Sequence, residues 1–156
     1  MTGEYFRFAL VALLGLLLIV AAVTDLRARV ISNRLNLLIA ALAPVWWLAS
    51  GLSWSGVAAQ LLVGLIVFGL FAALFALGWM GGGDVKLLGA LALWFSWQAM
   101  LSLLVLMAVL GGAVTLVTVI HHRMTRRLGV PEIPYGIAIS LAALWLLGER
   151  YLNQFA

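Results

Sequence analysis

Six apolar runs alternate with short polar breaks along the chain, at about 6–24, 35–50, 56–80, 87–97, 99–120 and 134–148. A membrane-spanning helix needs roughly 20 residues, with a range of about 17–25. The first, third and fifth runs meet that length. The second, fourth and sixth are short and are expected to tilt little, borrow flanking residues or thin the bilayer locally. The pattern predicts an all-α polytopic membrane protein with six transmembrane helices, in one domain over residues 1–156, without repeats or a dividing linker.

One stretch is ambiguous by pattern alone. Leu87 to Ile120 carries no charge over 34 residues. As a single helix it would be about 51 Å long, against a hydrocarbon core of about 30 Å. The alternative is a hairpin turning near Ser96-Trp97-Gln98. Charge decides between them. With the hairpin, Arg27, Arg29, Arg34, Lys86, Arg123, Arg126 and Arg127 fall on one side and only Arg7 and Arg150 on the other. A single helix would place the Arg123–Arg127 cluster opposite Arg27 and Arg29. Basic loops stay in the cytoplasm, so the hairpin is expected, with both termini outside. Trp46, Trp47 and Trp54 are expected at the opposite interface, where amphipathic rings gather.

Composition agrees with the bilayer. Of 156 residues, 66% are hydrophobic and 9% charged, whereas soluble domains run at about 45–50% and about 25%. The net charge of +4 marks topology rather than nucleic-acid binding, since no basic run is interleaved with exposed aromatics. Cysteine is absent, which excludes a disulfide, a thiol nucleophile and a Cys-ligated metal site. The first apolar run is read as a retained helix rather than a cleaved signal, because its strong positive charge, Arg27 and Arg29, follows it.

Only five residues are acidic. Glu4, Glu132 and Glu149 fall at the chain ends and in the last basic loop. Asp25 and Asp84 instead sit at the edges of apolar runs, in Thr24-Asp25-Leu26-Arg27 and Gly81-Gly82-Gly83-Asp84-Val85-Lys86. In the six-span topology both lie near the cytoplasmic face at similar depth. They could merely pair with Arg27, Arg29 and Lys86 in the headgroup layer. The glycine run argues for more, since glycine permits φ > 0 or close backbone approach, which an extended peptide reaching a carboxylate requires. Two neighbouring carboxylates can share one proton. One then activates a water while the other protonates a scissile carbonyl, without cofactor or metal.

Three segments resemble the type IV prepilin peptidases, membrane aspartic peptidases with a Gly-x-Gly-Asp signature. Asp25-Leu26-Arg27-Ala28-Arg29-Val30-Ile31-Ser32-Asn33 is similar to that family's Asp, basic residues and Ile-Pro-Asn, with Ser32 where proline is usual. Gly81 to Lys86 matches Gly-x-Gly-Asp-x-Lys in full, and Ile133-Pro134-Tyr135-Gly136 resembles its Pro-Tyr/Phe-Gly element. The resemblance implies catalysis by Asp25 and Asp84, supported by Gly81, Gly83, Lys86, Arg27, Arg29, Asn33, Pro134, Tyr135 and Gly136. It also implies a prepilin substrate with a basic leader ahead of an apolar helix, cut at the cytoplasmic face of the bacterial inner membrane. The larger members carry an N-terminal insert with paired cysteines and an N-methyltransferase activity. This chain has neither the length nor the cysteines, and resembles the compact branch that serves tight-adherence (Flp) pili.

Other polar residues have simpler expectations. Lys86 is expected to snorkel to headgroups, or else to bind an acidic substrate group or tune the aspartates, and Asn33 to cap the second helix rather than position the Asp25 loop. His121 and His122 end the fifth span beside Arg123 and are expected as interfacial helix-end residues, since the sequence offers no further ligand at metal-site spacing. Arg123, Arg126 and Arg127 are expected to touch anionic membrane lipid. The rival reading is a non-enzymatic membrane protein, a small transporter or pilus-assembly subunit using the aspartates as a relay. Transport favours acids near mid-membrane, whereas here both lie at one interface.

Overall fold

The protein is described here by a computed structural model covering residues 2–124 and 135–152. The described residues form six α-helices and no strand: α1 (Thr2–Ala28), α2 (Asn33–Ala49), α3 (Trp54–Ala76), α4 (Gly82–Ala92), α5 (Trp97–Met124) and α6 (Tyr135–Leu152). Three of them, α1, α3 and α5, are long and apolar enough to cross a membrane. The Leu87–Ile120 stretch is indeed broken, at 93–96, so α4 and α5 are separate helices. The break falls ahead of the expected turn, leaving Trp97 and Gln98 inside α5. The third apolar run stops short as well. Helix α3 ends at Ala76, and Gly78 takes a left-handed φ of 76° that a side chain would strain.

The interior is built around the shortest helix. Helix α4 buries Val85, Leu87, Leu88, Ala90, Leu91 and Ala92 among its 11 residues. It packs on α2, α3 and α6, while α1 joins α2 and α6, and α5 lies against α6. Few residues of α3 and α5 are buried. The outward rows, such as Leu61, Leu65 and Ile66 or Val105 and Val109, are left exposed by the described residues and suit hydrocarbon.

Helix α1 is apolar on every side, yet it has one inward face. Leu10, Leu14, Leu17, Leu18 and Ala21 are buried, at offsets of 4, 7, 8 and 11 that trace one stripe of a 3.6-residue helix. The next member of that stripe is Asp25, which is also buried. The carboxylate is aimed inward by the same geometry that packs the leucines.

The tryptophans expected at the opposite interface differ in exposure. Trp54 is exposed, but Trp47 is buried and its Nε1 donates to the Leu93 carbonyl at 2.7 Å. Trp46 stacks on Trp94 with ring centroids 5.8 Å apart. These two rings serve the junction of α2 with the end of α4, because an indole N–H inside an apolar bundle needs an acceptor and the helix end supplies one.

Candidate active site

Asp25 lies in the last turn of α1. The Ile137 N–H donates to its Oδ2 at 3.2 Å, and the Gly136 N–H donates to it as well. These belong to the first turn of α6, whose leading N–H groups have no partner inside the helix. Asp25 therefore caps α6 from a different helix, where the positive end of the peptide dipoles favours an anion.

Asp84 is the third residue of α4. Its carboxylate reaches back to the N–H of Gly81, the N-cap residue, as in a capping box. The charge of Asp25 acts on Asp84. The two carboxylates thus stand at the N-termini of two different helices, α6 and α4, within electrostatic reach. Asp25 is buried and Asp84 half-buried.

The piece that assembles them is Ile31. After α1 the chain turns through Arg29, which holds a left-handed φ of 54° while its N–H bonds the Asp25 carbonyl at 2.9 Å. The turn carries Ile31 inward to 5% exposure, against the starts of both α4 and α6. A Cβ on Gly83 would lie 3.3 Å from the Ile31 backbone oxygen and Cβ. One on Gly136 would lie 2.6 Å from Ile31 Cδ1 and 2.9 Å from Asp25 Cγ. At Gly136 a side chain could enter only if something moved, and at Gly83 the fit is tight. The three glycines before Asp84 are not there for unusual dihedrals, since Gly81 is extended and Gly82 and Gly83 are helical.

Two further bonds tie α2 to the start of α4. The Asn36 amide donates to the Gly83 carbonyl at 3.0 Å, and Lys86 Nζ donates to Asn33 Oδ1 at 2.8 Å. Lys86, about 200° around α4 from Asp84, faces Asn33 rather than either aspartate. Asn33 is not the cap expected of it. Ser32 is, accepting from the Leu35 N–H at 3.2 Å. A serine where proline was expected retains a hydroxyl that a proline would lack.

Of the residues singled out from sequence, Asp25, Asp84, Gly81, Gly83 and Gly136 converge here. Tyr135 opens α6 but its ring packs against Gly111 of α5. Arg27 and Arg29 are exposed, and the charge of Arg29 acts on Asp25. Pro134, Arg126, Arg127 and Glu132 lie outside the described residues, as do the side chains of His122 and Arg123. Among the described residues no three His, Cys, Asp or Glu cluster as metal ligands. Sequence reasoning passed over Asn36. Its one signal was a polar side chain three residues after Asn33, on a helix otherwise apolar from Leu35 to Ala49.

Comparison with known proteins places this geometry in context. A model of the type IV leader peptidase family matches residues 12–116, a span that includes Asp25 and Asp84. Over 83 residues, 53% of the chain, the sequence is 36% identical to the prepilin leader peptidase/N-methyltransferase of Burkholderia pseudomallei strain 1026b. The same values hold for the protein of that name in strain K96243. The matched stretch spans 27% of the length of these relatives. No solved structure matches.

Proposed function

The chain belongs to the type IV leader peptidase family, and from that premise we propose that it is a membrane aspartic endopeptidase for type IV prepilins. It removes the short leader of Flp-type prepilins at the cytoplasmic face of the bacterial inner membrane, as one six-span domain over residues 1–156. The observation that carries this reading is the position of Asp25 and Asp84, from distant parts of the chain, at two helix N-termini within electrostatic reach of one another.

In the reaction one water lies between the carboxylates. Asp25, with two backbone N–H donors supporting its anion, takes a proton from the water as oxygen attacks the scissile carbonyl carbon. Asp84 carries the shared proton and gives it to the carbonyl oxygen, forming a neutral tetrahedral gem-diol. The C–N bond then breaks. The leaving nitrogen takes the proton held by Asp25, and a hydroxyl proton returns to Asp84 as the new carboxyl group forms. No cofactor and no metal enters. Arg27 and Arg29 are exposed just past Asp25 and open to an approaching substrate chain, and Lys86 and Asn33 support the start of α4. N-methylation, the second activity in the relatives' name, is not proposed.

The test is cleavage of a cognate prepilin in proteoliposomes. Asp25→Asn and Asp84→Asn keep shape but remove a titrating group, so each should abolish cleavage while inserting and folding normally. Near wild-type cleavage by either variant would end the dyad reading. A relay function, the alternative, would leave cleavage absent in the wild type too.

A further inference from the structure

Helices α2 and α3 are consecutive and joined by the short segment 50–53, yet they do not pack closely on one another. Each packs on α4. Between them, floored by α4, runs a slot of about 610 Å³. Its walls include Leu37 from α2, Leu61, Leu65 and Phe68 from α3, and Ala90 and Leu93 from α4. Leu37, Leu61 and Leu65 are among the exposed large hydrophobics, so the slot opens sideways to where lipid would lie. At one end Trp47 and Gln60 both donate to the Leu93 carbonyl, at 2.7 and 3.4 Å, and close it off.

The polar lining is confined to the other end and consists of Asn33, Asn36 and Lys86. That end adjoins the candidate active site, since Asn36 holds the carbonyl of Gly83, the residue before Asp84. Asn36 is 4% exposed and its Oδ1 has no hydrogen-bond partner among the described residues. A buried amide oxygen left unpaired is costly. An acyl chain would suit the apolar walls but would bring no donor to it. The first turn of an incoming helix would, because its leading N–H groups are unpaired.

We propose that this slot seats the apolar helix of the substrate, with the N-terminal end of that helix at Asn36. The proposal rests on the peptidase reading above and adds where the substrate lies. The slot-facing residues Lys86 and Leu93 sit on the side of α4 away from Asp84. The segment preceding the substrate helix therefore passes the start of α4 at Gly81, which is exposed and carries no side chain, and reaches the carboxylates on the far side. The helix supplies anchoring within the membrane, and the extended segment supplies the scissile bond. This is helix-in-groove recognition with the chemistry placed just beyond the groove's polar end.

The experiment uses full-length prepilin and the full chain in proteoliposomes. A photoreactive benzoyl-phenylalanine replaces Leu65 in the slot or, as a control, Val105 on the outer face of α5, both exposed. The Asp25→Asn background keeps the substrate intact. The expected result is a Leu65 adduct mapping to the apolar helix of the prepilin, and no such adduct from Val105. If the wild type cleaves the prepilin while Leu65 captures only lipid or a second copy of this chain, the slot is overturned and the peptidase reading stands. If the wild type does not cleave, the peptidase reading itself falls. Leu61→Trp and Leu65→Trp, which narrow the slot from its exposed rim, should raise KM about 10-fold with kcat retained. A loss confined to kcat, with KM unchanged, would count against the proposal.

Discussion

Gly136 shows how little room the candidate site leaves around a single atom. A methyl group there would meet both Ile31 Cδ1 and the Asp25 carboxyl group. Relief by moving α6 would carry away the two N–H groups that hold Asp25. Misplacement of reacting groups by about 1 Å can cost about 10²-fold in rate, so Gly136→Ala should lower kcat by about that factor, read as prepilin cleavage at saturating substrate. Adding Ile31→Val removes Cδ1 and should recover only part of the loss, because the contact with Asp25 remains. Asp25→Glu and Asp84→Glu extend the carboxyl by about one methylene and should be impaired to a similar degree. The dyad also needs one carboxyl ionised and one protonated. The rate should therefore fall at both low and high pH, with both limbs belonging to the pair rather than to either residue. A flat profile across the acidic and neutral range would contradict this.

At the scale of elements, the junction of α2 with α4 sets how Asp84 is presented. Asn36→Leu leaves the Gly83 carbonyl without its partner, a loss of about 1–3 kcal/mol, and should lower both the melting temperature in detergent and kcat. Ser32→Ala removes only the α2 cap, about 0.5–2 kcal/mol, and should lower melting with kcat little changed. Both catalytic candidates were legible in the sequence because acids are so few that two of them at apolar edges stand out. The inward face of α1 was not legible, since Leu and Val surround that helix and lipid and protein interior accept them equally. The cap at Ser32 rather than Asn33 and the burial of Trp47 were missed for a common reason. Each depends on which backbone group lies nearby in space, the Leu35 N–H in one case and the Leu93 carbonyl in the other, and spacing along the chain does not encode that. Ile31 was visible as part of a motif, but its contact with glycines 52 and 105 positions further on was not.

At the scale of the molecule, the expected six-span topology is open to direct test. Reporter fusions at residues 29 and 126 should both report the cytoplasm, and fusions at 52 and 97 the opposite side. Fusions at 29 and 126 falling on different sides would require another arrangement. The length of α4 then carries a consequence for the lipid itself. With 11 residues it rises only about 16 Å, roughly half of a hydrocarbon core of about 30 Å, yet Asp84 lies at one of its ends. A bilayer of ordinary depth would submerge that end or be pinched towards it, and hydrophobic mismatch costs a fraction of a kcal/mol per Å. Acyl-chain length becomes a control on how wet the carboxylates are. In vesicles of graded thickness, cleavage should quicken as the lipids shorten and slow as they lengthen, so that the surrounding membrane sets the pace of the reaction.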